Sequence, residues 1–140
     1  MCLVTKQKTP TKTKEDTIVY KHCYMYDNNE NEVYSTNDFL YEKGILNETE
    51  LVINNIRDSV ADHLVFLHYK IDIWEWKYES TDDVFKHVHE GFHSAKTKER
   101  ISFYLWGTLC EFTIPKGSLI MEDETGLITS NKIIFNKIIK

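Results

Sequence analysis

The sequence predicts a single α+β domain over residues 1–140: a mostly antiparallel, twisted sheet carrying two main helices. Three patterns predict it. Runs rich in β-branched and aromatic residues, Thr17–Tyr26 and Leu109–Ile114, read as strands. Leu51, Val52, Ile53, Ile56, Val60 and Leu64 recur at helical spacing. From Val65 to Ile73 the apolar period then shortens to two. A chain of 140 residues buries roughly 68–70% of its unfolded surface in one core, so the fold needs neither disulfide nor metal.

In chain order, Lys6, Lys8, Lys12 and Lys14, separated by Thr, Gln and Pro10, read as a solvated arm over residues 1–15, flexible or pairing at a sheet edge through Cys2-Leu-Val. The Thr17–Tyr26 strand closes at Asp27-Asn-Asn-Glu-Asn31. Glu32-Val-Tyr-Ser returns as the second arm of a hairpin, and an irregular segment reaches Gly44. Asn47 and Thr49 stand as caps ahead of the first helix. After the Val65–Ile73 strand the large residues move to even positions, Trp74, Trp76 and Tyr78, which calls for a bulge near Ile73. Val84–Val88 reads as a helical turn or the approach to a strand. Gly91-Phe-His-Ser is a short strand feeding the second helix, capped by Ser94 or Thr97 and ended by Gly107. Leu109–Ile114, the turn Pro115-Lys-Gly117, Leu119–Met121, the turn Glu122–Gly126, Ile128 and Ile133–Ile139 complete an antiparallel end.

Composition narrows the function. With 17 basic against 22 acidic residues, a net charge of −5 argues against broad binding to a nucleic-acid backbone. Cys2, Cys23 and Cys110 have no paired or CxxC spacing and suit reduced thiols. The opening has no apolar signal core, and no apolar run reaches the roughly 18 residues of a membrane span, so the expected location is the cytoplasm and no membrane partner is expected.

Three clusters carry chemistry. His87, His89 and His93 could converge as imidazole ligands, with Glu90 or Asp83 adding a carboxylate; ordinary hydrogen-bonded histidines share this spacing, and no metal is assigned. Aromatic residues, among them Tyr20, Tyr24, Trp74, Trp76, Phe92 and Trp106, interleave with Lys21, Lys70, Lys77, Arg57 and Arg100. Rings of this kind stack bases and the cations hold phosphate, although the same residues also build cores and oligomer interfaces. The acidic turn Glu122-Asp123-Glu124 supplies a general base or a ribose-binding carboxylate, or is simply solvated. No Ser-His-Asp arrangement and no glycine-rich phosphate loop is readable.

Two resemblances rest on particular residues. The opening Met1-Cys-Leu-Val-Thr-Lys-Gln-Lys-Thr-Pro, Asp16-Thr-Ile-Val-Tyr-Lys, Glu90-Gly-Phe-His-Ser, and Ile114-Pro-Lys-Gly with Ser130-Asn-Lys-Ile-Ile resemble a family of small uncharacterised proteins encoded by bacteriophages and by bacteria carrying mobile elements, notably gut Bacteroidetes. The resemblance implies an accessory protein of a bacterial host cell that acts by binding, including sequestration of nucleotide signals used in defence. In strand order, Val19-Tyr-Lys-His22, Gly91-Phe-His-Ser94, Leu109-Cys-Glu-Phe and Gly126-Leu-Ile are similar to the ADP-ribosyltransferase family. That likeness implies NAD-dependent chemistry with His22, Ser94 and Glu122 or Glu124 converging on one cleft, although the family's His-Gly-Thr type of signature is missing here.

The resulting expectation is a non-catalytic binder of a nucleotide-like ligand or a host protein, with a counter-defence role. Its ligand-binding residues are His22, Trp74, Trp76, Phe92, His93, Ser94, Arg100, Trp106 and Glu124, with no catalytic residue, no cofactor, and a homo-oligomer as an option. The alternatives are an ADP-ribosyltransferase-like enzyme and a purely protein-binding inhibitor that uses an exposed apolar patch around Trp74 and Trp76.

Overall fold

A computed structural model describes residues 3–55, 86–101 and 107–140. Within them the protein is mostly β: 55% of the described residues lie in strands and 4% in helix. This overturns the α+β expectation with its two main helices. The first helix was expected to begin at Leu51, but Val52–Asn55 is a strand (β7), antiparallel to Lys86–Glu90 (β8). Val52 and Ile53 are β-branched and stiff at χ1, and a partner edge outweighs their helical spacing. Of the second helix, expected to run to Gly107, the described residues show the turn Lys98–Ile101 (α1), and residues 102–106 lie outside them. Thr97 caps it, its Oγ1 accepting from Arg100 N at 3.2 Å. The expected strand Val65–Ile73 and the bulge beside Trp74 lie outside the described residues.

Three strands, Leu3–Thr5 (β1), β8 and β7, form one small sheet in the order β1-β8-β7. Leu3–Thr5 are therefore part of the fold: Leu3 and Val4 are 1% exposed. The Gln7 side chain continues the attachment, since its Nε2 donates to Ile120 O at 3.0 Å and its Oε1 accepts from Glu122 N at 2.9 Å.

The main sheet contains Thr11–Lys12 (β2), Thr17–Cys23 (β3), Leu46–Glu48 (β6), Phe92–Ala95 (β9), Thr108–Ile114 (β10), Leu119–Glu122 (β11), Leu127–Ser130 (β12) and Lys132–Ile138 (β13), ordered β2-β11-β12-β9-β3-β10-β13-β6. β12 and β13 stand four places apart in that order, yet one residue, Asn131, joins them. The five strands β12-β9-β3-β10-β13 therefore close on themselves as a small barrel, with the corner at Asn131. That corner is pinned. Asn131 Oδ1 accepts from Leu119 N at 2.8 Å, its N donates to Leu119 O at 3.1 Å, and its carbonyl accepts from Thr49 N at 2.9 Å. The side chain copies the pairing a strand neighbour would have made.

Strand alternation then sorts side chains inside and outside. Val19 and Cys23, Phe92, Cys110, Phe112 and Ile114, Ile128, Ile133 and Phe135 share the inner core. A hairpin of Glu32–Tyr34 (β4) and Leu40–Glu42 (β5) covers it with Val33 and Tyr41, and the Tyr41 ring meets Phe112 edge-on at 5.0 Å. Outside the barrel, Ala95 and Leu127, with Tyr20 and Leu109, pack under Leu3, Val88 and Ile101 in a second core beneath the small sheet.

Candidate functional site

The barrel has one weak seam among its described strands. β3 pairs with β10 through seven residue pairs, from Thr108↔Cys23 to Ile114↔Thr17, but with β9 through the single pair Tyr20↔Ala95. Beyond Cys23, Tyr24 instead exchanges backbone bonds of 2.8 Å with Tyr34 of the hairpin. Residues 21–23 and 92–94 therefore face each other across a ladder that has stopped. Gly91 places the β9 side of the seam. Its φ is +140°, and a Cβ there would sit 2.4 Å from Thr129 Cγ2 and 2.6 Å from Leu51 Cδ2, so only glycine fits the turn from β8 to β9.

Lys21 occupies the seam. It shares the phase of Val19 and Cys23 and so points into the barrel; its Nζ donates to the His93 carbonyl and lies 5.9 Å from the centre of the Tyr41 ring. Lys21 keeps a partial opening to solvent, yet the protein packed around it desolvates the ammonium and lowers its pKa from the ordinary 10.5, with Cys23 and Cys110 opposing. Among the described residues no carboxylate pairs with it, whereas Lys6, Lys96 and Lys132 each reach a glutamate. One peptide beyond the His93 carbonyl, the Ser94 hydroxyl is buried with no hydrogen-bond partner among the described residues. An unsatisfied buried hydroxyl costs free energy, which makes Ser94 a residue the described fold does not explain.

Beside these groups lies an aromatic wall. Phe39, 43% exposed, stands 5.0 Å from Tyr41 and 5.8 Å from Phe92, and Tyr41 and Phe92 are 6.1 Å apart. Burial pushes the Tyr41 phenol well above its ordinary range. Below the wall, the buried Cys110 thiol has two acceptors in reach, the Thr108 carbonyl at 3.4 Å and the Cys23 sulfur. The bond from Cys110, helped by Lys21 and opposed by burial, makes Cys23 the more acidic thiol, and that same bond, reinforced by burial, holds the proton on Cys110.

Of the residues singled out from the sequence, Phe92, His93 and Ser94 gather at the seam. Phe92 lines the inner core, and His93 Nδ1 lies 2.7 Å from Thr129 Oγ1. His22 is in the seam too but on the outer face, next to Leu109 in register, with both ring nitrogens buried and without a hydrogen-bond partner among the described residues. His22 and Ser94 thus lie on opposite faces of the sheet. Arg100 and Glu124 sit elsewhere, at the acidic turn. Arg100 Nε donates to Thr125 Oγ1 at 3.1 Å and Glu124 pairs with Lys6 at 3.3 Å. Asp123 staples that turn by accepting from Thr125 N, Thr125 Oγ1 and Leu127 N, so a structural task accounts for it. Glu122 pairs with Lys96 at 3.2 Å. Trp74, Trp76 and Trp106 lie outside the described residues.

His87 is buried in β8 of the small sheet and His93 lies in the barrel strand β9; His89 is also in β8. Among the described residues no three His, Cys, Asp or Glu side chains group as metal ligands. Sequence reasoning named Lys21 only among several cations able to hold phosphate and did not single out Phe39 or Tyr41. The signal was present in β3, where the phase that buries Val19 and Cys23 also carries a lysine inward, a conflict with binary patterning of the kind that marks functional sites.

The chain matches no protein family, no curated protein and no solved structure compared with it. No helix among the described residues is long and apolar enough to cross a membrane.

Proposed function

We propose that this protein is a non-catalytic binder of a small nucleotide-like anion, held at the β3–β9 seam. The observation that carries the reading is Lys21, which has no carboxylate partner among the described residues and bonds the His93 carbonyl, with the Ser94 hydroxyl one residue on, also unpartnered among the described residues, and the exposed ring of Phe39 against Tyr41. A phosphate or similar anion would supply the charge that Lys21 lacks and the acceptor that Ser94 lacks. A base would stack on Phe39, since aromatic faces accept any base. The resemblance to phage and mobile-element proteins makes a nucleotide signal of host defence the fitting ligand class, and a bacterial cytoplasm the fitting location. The placement of His22 and Ser94 on opposite faces counts against the NAD-enzyme reading.

The test is a thermal-shift screen with inorganic phosphate, mononucleotides, cyclic di- and trinucleotides, NAD and ADP-ribose. A ligand at 100 times its Kd adds about 2.7 kcal/mol to the native state and raises the melting temperature. The expected result is a shift with one nucleotide class that is lost in Lys21→Met and reduced in Phe39→Ala. Shifts with none of these compounds would overturn the reading.

One observation favours a second reading, binding of a host protein. Ile45, just ahead of β6, is 54% exposed and Leu46 in β6 45%; among the described strands β6 ends the main sheet, where an edge can accept another strand. A host pull-down weakened by Leu46→Lys but unaffected by Lys21→Met would support it.

A further inference from the structure

We propose that the outer face of the β4–β5 hairpin is a docking surface for an arginine-rich segment of a partner protein. Register defines the face. Tyr24 exchanges backbone bonds with Tyr34 on one side of β4, and Tyr34 stands opposite Leu40 on the other, so the three side chains form one row. Glu32 and Glu42, opposite each other, form the next row on that face, while Val33 and Tyr41 between the rows point the other way, into the core. Tyr26, two residues beyond Tyr24, extends the first row. It is 61% exposed, and its ring lies 4.8 Å from that of Tyr34 and 6.5 Å from that of Tyr24. Its hydroxyl donates to Asp38 Oδ1 at 3.0 Å, which orients the ring and leaves its face for a ligand.

Charge decides the occupant. Ser35 N donates to Phe39 O and Lys43 N to Asn31 O, so by alternation Glu32 and Glu42 are a non-hydrogen-bonded pair, the closer kind, with Cβ atoms about 4.5–5.5 Å apart. Like charges opposed in this way cost stability. Among the described residues no basic side chain pairs with either carboxylate, whereas Glu30 has Lys140 and Glu48 has Lys132. A guanidinium docked here would neutralise the opposed pair and lie flat against the tyrosine rings, whose faces attract cations. An anionic or purely apolar partner would leave the two carboxylates in conflict. The net charge of −5 favours the approach of a basic partner.

The experiment titrates the full chain into a fluorescein-labelled Gly-Arg repeat peptide and follows its anisotropy, with the same peptide carrying citrulline in place of arginine as the uncharged control. The arginine peptide alone is expected to bind. Tyr26→Ala and Glu42→Lys are each expected to raise its Kd about two- to fivefold. Glu15→Lys, the same charge change at an exposed residue off the hairpin, is expected to leave it unchanged. No binding, equal binding of the citrulline peptide, or equal weakening by Glu15→Lys and Glu42→Lys overturns the proposal. Because Glu42→Lys removes the like-charge pair, it is expected to melt at or above the wild-type temperature; a lower melting temperature would mean that Glu42 serves the hairpin, and overturns the proposal as well. Lys21→Met is expected to leave peptide binding unchanged, so this surface and the β3–β9 seam stand or fall separately.

Discussion

Replacing Lys21 with methionine tests the electrostatics of the seam most directly. Methionine keeps an unbranched stem against Tyr41 and removes the titrating group. Burial lowers the folded pKa of Lys21 below its ordinary 10.5. Between those two values the unfolded chain therefore binds more protons than the native protein, and stability rises with pH. For one proton the slope reaches about 1.4 kcal/mol per pH unit. The gain is complete above 10.5 and absent below the folded value. Cys23, lowered from 9.0, has the same sign, while Cys110, raised from 9.0, and Tyr41, raised from 10.0, lose stability on the alkaline side. The shift of Cys23 is led by its bond from Cys110, so these contributions largely cancel between the two proteins. Losing the bond to the His93 carbonyl adds a pH-independent cost to the variant of about 1 kcal/mol. Urea unfolding of both proteins from pH 6 to pH 10 is the assay, and the readout is the slope of the difference, with wild type gaining on Lys21→Met as pH rises. Parallel curves over that range would refute the claim that the ammonium is desolvated.

Three further outcomes follow from named contacts. Ser94→Ala should leave the melting temperature unchanged or higher while weakening ligand binding, because it deletes a hydroxyl that has no partner; a loss of about 1 kcal/mol would mean that the hydroxyl serves the fold. Asn131→Ala should cost about 1–3 kcal/mol in urea unfolding, since it strands the Leu119 amide at the barrel corner, and an unchanged midpoint would deny that the side chain pins that corner. Gly91→Ala should destabilise by about 1–3 kcal/mol through a disfavoured φ and a clash with Thr129 and Leu51; wild-type stability in that variant would show that the turn can move aside.

Local pattern alone determined most of the strands in this protein. The runs at Thr17, Leu109, Leu119 and Ile133 carry β-branched and aromatic residues bounded by Asn, Gly and Pro, and strand formation there follows from side-chain shape and turn chemistry within a few residues. The Gly91-Phe-His-Ser segment was legible as a strand for the same reason, and with it Phe92, His93 and Ser94. Tertiary structure decided what a short window cannot. Leu51, Val52 and Ile53 satisfy a helical period, but β8 offers an edge more than thirty residues away in the chain, and long-range backbone pairing overrides a local preference. Closure of the barrel at Asn131 likewise depends on Leu119 and Thr49, both distant in sequence. The site is the clearest case. Lys21, Phe39, Tyr41 and Ser94 come from three separate strands and a hairpin turn, and they acquire meaning only because the β3–β9 ladder stops after one pair. Desolvation of Lys21 and the missing partner of Ser94 are properties of what surrounds them, and the surroundings exist only once the chain has folded.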